Sequence, residues 1–258
     1  MSADALRRPI VAGNWKMNLL RADARSFCRH LVAELGAPPA EVVVFPPFPL
    51  LDTVVDGLAG MPVAIGGQDL HPKAAGAHTG DVSGLHLADA GCTWVLCGHS
   101  ERRADHGEDD TLVARKADAA RAAGLVPLIC LGESADERQH GETHDVLRRQ
   151  LAALFATDAG SEPHAFELAY EPLWAIGTGQ TATPEIAQEA HAFLRAELVR
   201  QLGATYAAEI RILYGGSVRP ENAATLSRGE DVDGFLVGGA SLDAGVFSAI
   251  IGACGART

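Results

Sequence analysis

Residues 93–131 read TWVLCGHSERRADHGEDDTLVARKADAARAAGLVPLICL. Two short apolar runs, Thr93–Cys97 and Val126–Leu131, enclose a longer amphipathic stretch. The runs are apolar almost continuously rather than at alternate positions, which suits parallel strands covered on both faces. Between them the pattern predicts a helix from Asp109 to Ala123, stopped by Gly124 as a C′ glycine. Strand, helix and strand joined by short connections make one βαβ unit with a right-handed crossover.

The same alternation recurs about eight times along the chain. The other predicted strands are Ile10–Asn14, Glu41–Phe45, Val63–Gln68, Phe166–Tyr170, Ile210–Tyr214 and Gly234–Val237. A further helix is announced by Thr183–Pro184–Glu185: an N-cap, a proline at the first helical position and an acid in the first turn. Ile186, Ala190, Phe193 and Leu194 then form its expected buried stripe, with Glu189 and Arg195 off it. No Pro- or Ser-rich linker divides the sequence. Eight such units favour closure into a (β/α)8 barrel over an open sheet, with residues 1–258 as one catalytic domain.

Composition agrees. The 258 residues are 47% hydrophobic, 21% charged and 5% aromatic, so a sizeable core must come mainly from Ala, Val, Leu and Ile. A net charge of −12 argues against nucleic acid or an anionic membrane as partner. It also means that an anionic substrate would need positive potential concentrated locally. The five cysteines are scattered without a CxxC pair, as expected of reduced, buried thiols. The apolar run Ile10–Gly13 is too short for a signal peptide, and no stretch is long enough to span a bilayer, so a cytoplasmic location is expected. One connection, Asp69–Leu85, is unusually long and carries Gly76, Gly80 and Gly84; long ordered loops tend to be functional or to meet a partner.

Reactive groups of such barrels come from the C-terminal ends of the strands. Strand one ends in Asn14–Trp15–Lys16, strand four in Gly98–His99–Ser100–Glu101, and strand six in Tyr170–Glu171–Pro172. Strands seven and eight end in Gly215–Gly216–Ser217 and Gly238–Gly239. A carboxylate and an imidazole without an activated nucleophile suit proton abstraction next to a carbonyl. Glycine turns at helix starts suit phosphate, which backbone N–H groups can hold. Each residue has a plainer reading: Glu171 as a salt-bridged rim residue, His99 as a structural histidine, Lys16 as a surface lysine, the glycine pairs as tight turns. Only their joint placement at one mouth favours the functional one.

Five segments in register resemble the triosephosphate isomerase family. They are Gly13–Asn14–Trp15–Lys16–Met17–Asn18, Gly98–His99–Ser100–Glu101–Arg102–Arg103, Tyr170–Glu171–Pro172–Leu173–Trp174–Ala175–Ile176–Gly177–Thr178–Gly179, Tyr214–Gly215–Gly216–Ser217–Val218 and Leu236–Val237–Gly238–Gly239–Ala240–Ser241–Leu242. The resemblance runs from about residue 8 to about residue 251. It implies that Glu171 is the base, that neutral His99 donates to the carbonyl oxygens, and that Lys16 and Asn14 hold substrate. It further implies that Glu101 partners Lys16 and that backbone N–H groups of Gly177, Ser217, Gly238 and Gly239 bind phosphate. Pro172, Leu173, Trp174, Ala175, Ile176, Gly177 and Thr178 resemble the family's lid. A lid matters because an enediolate in water expels its phosphate.

The resemblance also implies a homodimer, with Thr79 of the long loop reaching the Asn14 and Lys16 region of the second subunit. It likewise implies a small triose phosphate as substrate. No metal or organic cofactor is implied, and no cluster with metal-ligand spacing is visible along the sequence. Departures are few: Leu173 stands where valine is common, Gln180 where lysine is usual, His78 where an aromatic is typical, and Asp81 where glutamate is. Three other readings compete. An isomerase of a four-carbon ketose phosphate would keep all five segments. A barrel aldolase would use Lys16 as a Schiff base, and a catalytically silent sugar-phosphate binder would not need Glu171, His99 and Lys16 together.

Overall fold

The computed structural model describes residues 7–156, 166–175 and 182–254. Within them, β1 (Ile10–Asn14), β2 (Glu41–Phe45), β3 (Val63–Gly67), β4 (Trp94–Cys97), β5 (Val126–Leu131), β6 (Glu167–Tyr170), β7 (Ile212–Tyr214) and β8 (Gly234–Val237) close into a barrel in sequence order. All pairings are parallel, and β1 closes on β8 with Ala12 opposite Leu236. The strands fall where the apolar runs place them. Gln68, Thr93, Phe166 and the pair Ile210–Arg211 drop off the ends, where local propensity decides least.

The continuous apolar runs have a simple cause. Successive side chains of one strand point to opposite faces, and both faces are buried. Ile10, Ala12, Val43, Phe45, Leu96, Leu128, Ala169, Leu213 and Leu236 pack together in the barrel interior. Their neighbours Val11, Val42, Val44, Val95, Ile129, Leu168, Ile212 and Val237 pack outward with the helices. At the N-terminal end of the strands, Arg211 bridges Glu167 (2.7 Å) and Glu41 (2.6 Å), tying β7 to β6 and β2. Asp233, just before β8, joins Arg7 (2.8 Å) to Arg195 (2.6 Å).

The helix predicted at Asp109–Ala123 is Asp110–Ala122, with the Asp109 carboxylate capping Leu112 N–H and Gly124 at φ 76° just after it. The helix after Thr183 runs Pro184–Leu202, capped as expected by the Thr183 hydroxyl. Its buried stripe needs correction: Ala187, Ala190, His191, Leu194 and Leu198 are buried, whereas Ile186 and Phe193 are half-buried. Arg195, placed off the stripe, reaches inward to Asp231 and Asp233. The long loop also ends earlier than expected, because Ser83 caps a helix Gly84–Asp89 that absorbs Gly84 and Leu85. All five cysteines, Cys28, Cys92, Cys97, Cys130 and Cys254, are buried. Among the described residues, no helix is long and apolar enough to cross a membrane.

Candidate active site

At the C-terminal mouth of the barrel, a cavity of about 320 Å³ is lined by residues from five strand ends. Asn14, Lys16, His99, Glu171, Ser217, Gly238 and Gly239 all face it. Residues remote in sequence thus meet because parallel strands deliver all their C-terminal ends to one side.

Lys16 occupies a left-handed backbone conformation at φ 52°, costly for a residue with a Cβ. Its surroundings hold it there. The Asn14 side-chain oxygen accepts from Lys16 N–H (2.9 Å), and the Gln68 amide donates to the Lys16 carbonyl (2.8 Å) and to that of Phe45 (2.9 Å). The Lys16 ammonium meets the Glu101 carboxylate at 2.6 Å, and Glu101 itself does not line the cavity.

His99 ends the loop after β4 as N-cap of the helix Ser100–His106, and its Nδ1 accepts from the Glu101 N–H (3.3 Å). Its Nε2 lies 3.0 Å from Glu171 Oε1, and the Ser100 N–H donates to Glu171 Oε2 (2.9 Å). Burial alone would raise the Glu171 carboxyl. His99, the Ser100 N–H and Lys16 more than reverse this and hold it below its ordinary value, so Glu171 is ionised. For His99, burial opposes the imidazolium and the Glu171 carboxylate favours it, and the carboxylate prevails, raising the ring's pKa. The Glu101 N–H aimed at Nδ1 works the other way, since a second ring proton would face a donor. With Nδ1 accepting from the Glu101 N–H, the neutral ring carries its proton on Nε2, while the carboxylates of Glu171 and, at 3.7 Å from Nδ1, Glu101 raise its proton affinity.

Several contributors had no obvious sequence signal. Gly132, after β5, sits so close to Glu171 that an added Cβ would lie 1.8 Å from the Glu171 carbonyl oxygen. A Cβ on Gly215 would lie 2.9 Å from Glu171 Cγ. Gln150 fastens the Gly132 turn from the neighbouring helix, accepting from its N–H (2.9 Å) and donating to its carbonyl (3.1 Å). Glu133 is fully buried and accepts from the Trp174 indole (2.9 Å) and the Tyr170 hydroxyl (3.1 Å). Arg138 lies 4.2 Å over the Trp174 ring. The described part of the expected lid, Pro172–Ala175, is thus anchored from below. Ile176, Gly177, Thr178 and Gln180 lie outside the described residues. Arg219 also lines the cavity, a cation that the glycine-turn reading passed over. Thr79 stands apart, on the exposed part of the loop after β3.

A closed parallel barrel whose mouth gathers a carboxylate, an imidazole and an ammonium around one cavity defines a barrel enzyme equipped for proton transfer. The pattern that describes triosephosphate isomerases matches residues 9–254. The chain is 49% identical to the triosephosphate isomerase of Xanthobacter flavus over 251 residues, 97% of this chain and 99% of that one. It is 48% identical to that of Bradyrhizobium diazoefficiens, again over 97% and 99% of the two chains. With that of Rhizobium etli it shares 49% over 94% of each. The chain belongs to the triosephosphate isomerase family.

Proposed function

We propose that this protein interconverts dihydroxyacetone phosphate and D-glyceraldehyde 3-phosphate, with Glu171 carrying the proton between the two carbons. The observation that carries this is the Glu171–His99 contact of 3.0 Å, inside a cavity that also holds Lys16. The Glu171 carboxylate takes a proton from the carbon beside the carbonyl. The His99 Nε2–H donates to the carbonyl oxygen as negative charge builds there, giving an enediol. The proton of the neighbouring hydroxyl passes by way of the His99 ring to the former carbonyl oxygen, and Glu171 returns its proton to the former carbonyl carbon, so atoms balance without a co-reactant.

Substrate has to part Glu171 from His99 and Ser100. Losing those contacts raises the carboxylate's basicity when it is needed. Lys16 and Asn14 flank the developing oxyanion, and Lys16 supplies the local positive charge that a chain of net charge −12 otherwise lacks. The N–H groups of Ser217, Gly238 and Gly239, with Gly177, hold the phosphate; open space around Gly239 leaves room for it. Glu101 restrains Lys16, and Pro172–Thr178 close over the site.

The active form is a cytoplasmic homodimer of single-domain subunits. Met17 is 95% exposed and Leu20 75% exposed, both within the few residues that follow Lys16 in the chain, and such apolar exposure suits a covering partner. The tip of the loop after β3, with Thr79, would enter that region of the second subunit. A coupled assay tests the reading: brisk turnover of glyceraldehyde 3-phosphate is expected, with a four-carbon ketose phosphate much poorer. Equal turnover of both would overturn the substrate assignment.

A further inference from the structure

Among the described residues, the aspartate, glutamate, lysine and arginine side chains that line the cavity at the barrel mouth are Lys16, Glu171 and Arg219. The charges of Lys16 and Glu171 offset each other, and the Lys16 ammonium is also held by Glu101 at 2.6 Å. Without Arg219 the mouth would meet a phosphate dianion with no net positive charge, in a chain whose overall charge of −12 already repels it. Arg219 therefore decides the local sign. Its backbone is fixed. Asn222 Oδ1 accepts from the Arg219 N–H (2.8 Å), and Asn222 Nδ2 donates to the Ser217 carbonyl (3.0 Å). Val218, between Ser217 and Arg219, packs into the hydrophobic core. The Arg219 side chain, by contrast, is exposed and meets no carboxylate among the described residues. Arg7, Arg195 and Arg211 differ in being tied to Asp233 or Glu167.

We propose that Arg219 is a specificity residue for the phosphate group: a cation at the rim that draws the dianion toward the Ser217, Gly238 and Gly239 turns and favours phosphorylated over phosphate-free substrates. The inference rests on the sugar-phosphate reading above and deepens it. A guanidinium stays charged at any working pH, and its fork of donors fits phosphate oxygens. Lys16 does not duplicate this role. Its stem lies along the Gly238 turn, where an added Cβ would sit 3.6 Å from Lys16 Cε, and its ammonium is shared with Glu101. Arg219 instead extends from the Ser217 turn, so the two cations approach the phosphate site from different strand ends. An exposed charge acts largely through solvent, so its pull reaches beyond contact and weakens with salt.

The test compares wild type, Arg219→Gln and Arg219→Lys on glyceraldehyde 3-phosphate and on glyceraldehyde, which lacks the phosphate. Both variants should fold, because the side chain is exposed and pairs with no carboxylate. At roughly 0.01 M ionic strength, kcat/KM for the phosphorylated substrate divided by that for glyceraldehyde should fall about five- to tenfold in Arg219→Gln, as expected of one charge in a focusing cleft. Arg219→Lys should recover most of it. At about 1 M salt the gap should shrink below about twofold. Calorimetric titration with inorganic phosphate should show weaker binding to Arg219→Gln in the same low-salt buffer. A ratio and a phosphate affinity in Arg219→Gln equal to wild type at low salt would overturn the proposal. So would an equal loss in Arg219→Lys, since the charge would then not be the cause. Wild-type protein inert toward glyceraldehyde 3-phosphate would instead remove the reading beneath it, and the phosphate titration would still decide the role of Arg219.

Discussion

A Cβ added to Gly132 would sit 1.8 Å from the carbonyl oxygen of Glu171, closer than any contact can be. The turn after β5 therefore sets where the backbone of Glu171 can lie. Gly132→Ala must push β5 and β6 apart at the mouth. It is expected to lower turnover by about 100-fold, the effect of roughly 1 Å of misplacement, and to cost about 1–3 kcal/mol of stability through overpacking. Denaturant titration and steady-state kinetics on the same variant check both. Turnover within about threefold of wild type would mean that Glu171 is positioned by something else.

His99→Gln is expected to lower turnover by roughly 100-fold or more, the usual cost of losing one preorganised donor. The motive is the Nε2–H directed into the cavity at the Glu171 carboxylate, where a carbonyl oxygen would take its place. Substrate affinity should change little, because the interaction strengthens only as charge develops. A loss confined to KM would argue that His99 binds rather than polarises.

Acid sensitivity has an identifiable source in His191. It is fully buried between Tyr170 and Tyr214, its Nδ1 bonds the Asp231 carbonyl (3.0 Å), and its Nε2 has no partner among the described residues. Burial lowers its pKa from 6.5 to about 4. The unfolded chain thus binds more protons between these values, so stability is full above about 6.5 and falls on acidification toward 4. The loss at the acid end is about 3 kcal/mol. His191→Gln should flatten this part of the stability–pH curve whatever it does to stability at neutral pH. An unchanged acid slope in urea titrations from pH 4 to 7 would clear His191 of the role.

Shortening Gly76–Gly80 to a tight turn is expected to give monomers with an intact barrel and much lower turnover. The loop tip buries little within its own subunit, and the docked tip would steady Lys16, whose φ of 52° already needs support. Sedimentation paired with the isomerase assay decides the matter. Wild-type protein fully active as a monomer at micromolar concentration would refute the dependence on association.

Most of the barrel could be read from the sequence because both faces of each strand are buried, which leaves unbroken apolar runs between capped helices. Glu171, His99, Lys16 and Asn14 were legible for a related reason: strand ends are the mouth, and these are the polar groups there. Gly132, Gln150 and Glu133 were not, since their work depends on distances between strands β5 and β6 that no linear pattern records. The stripe of the helix Pro184–Leu202 was misplaced because Ile186 and Phe193 look like core, while small Ala187 and polar His191 fill the space against the sheet.

The central claim, that Glu171 moves the proton, is tested most directly by Glu171→Asp. The carboxylate retreats by one methylene while its charge and its neighbours stay, so binding should survive and proton transfer should not. Steady-state kinetics on glyceraldehyde 3-phosphate should show kcat reduced by about 100-fold or more, with KM close to wild type. A kcat near wild type would contradict the account and remove Glu171 as the base.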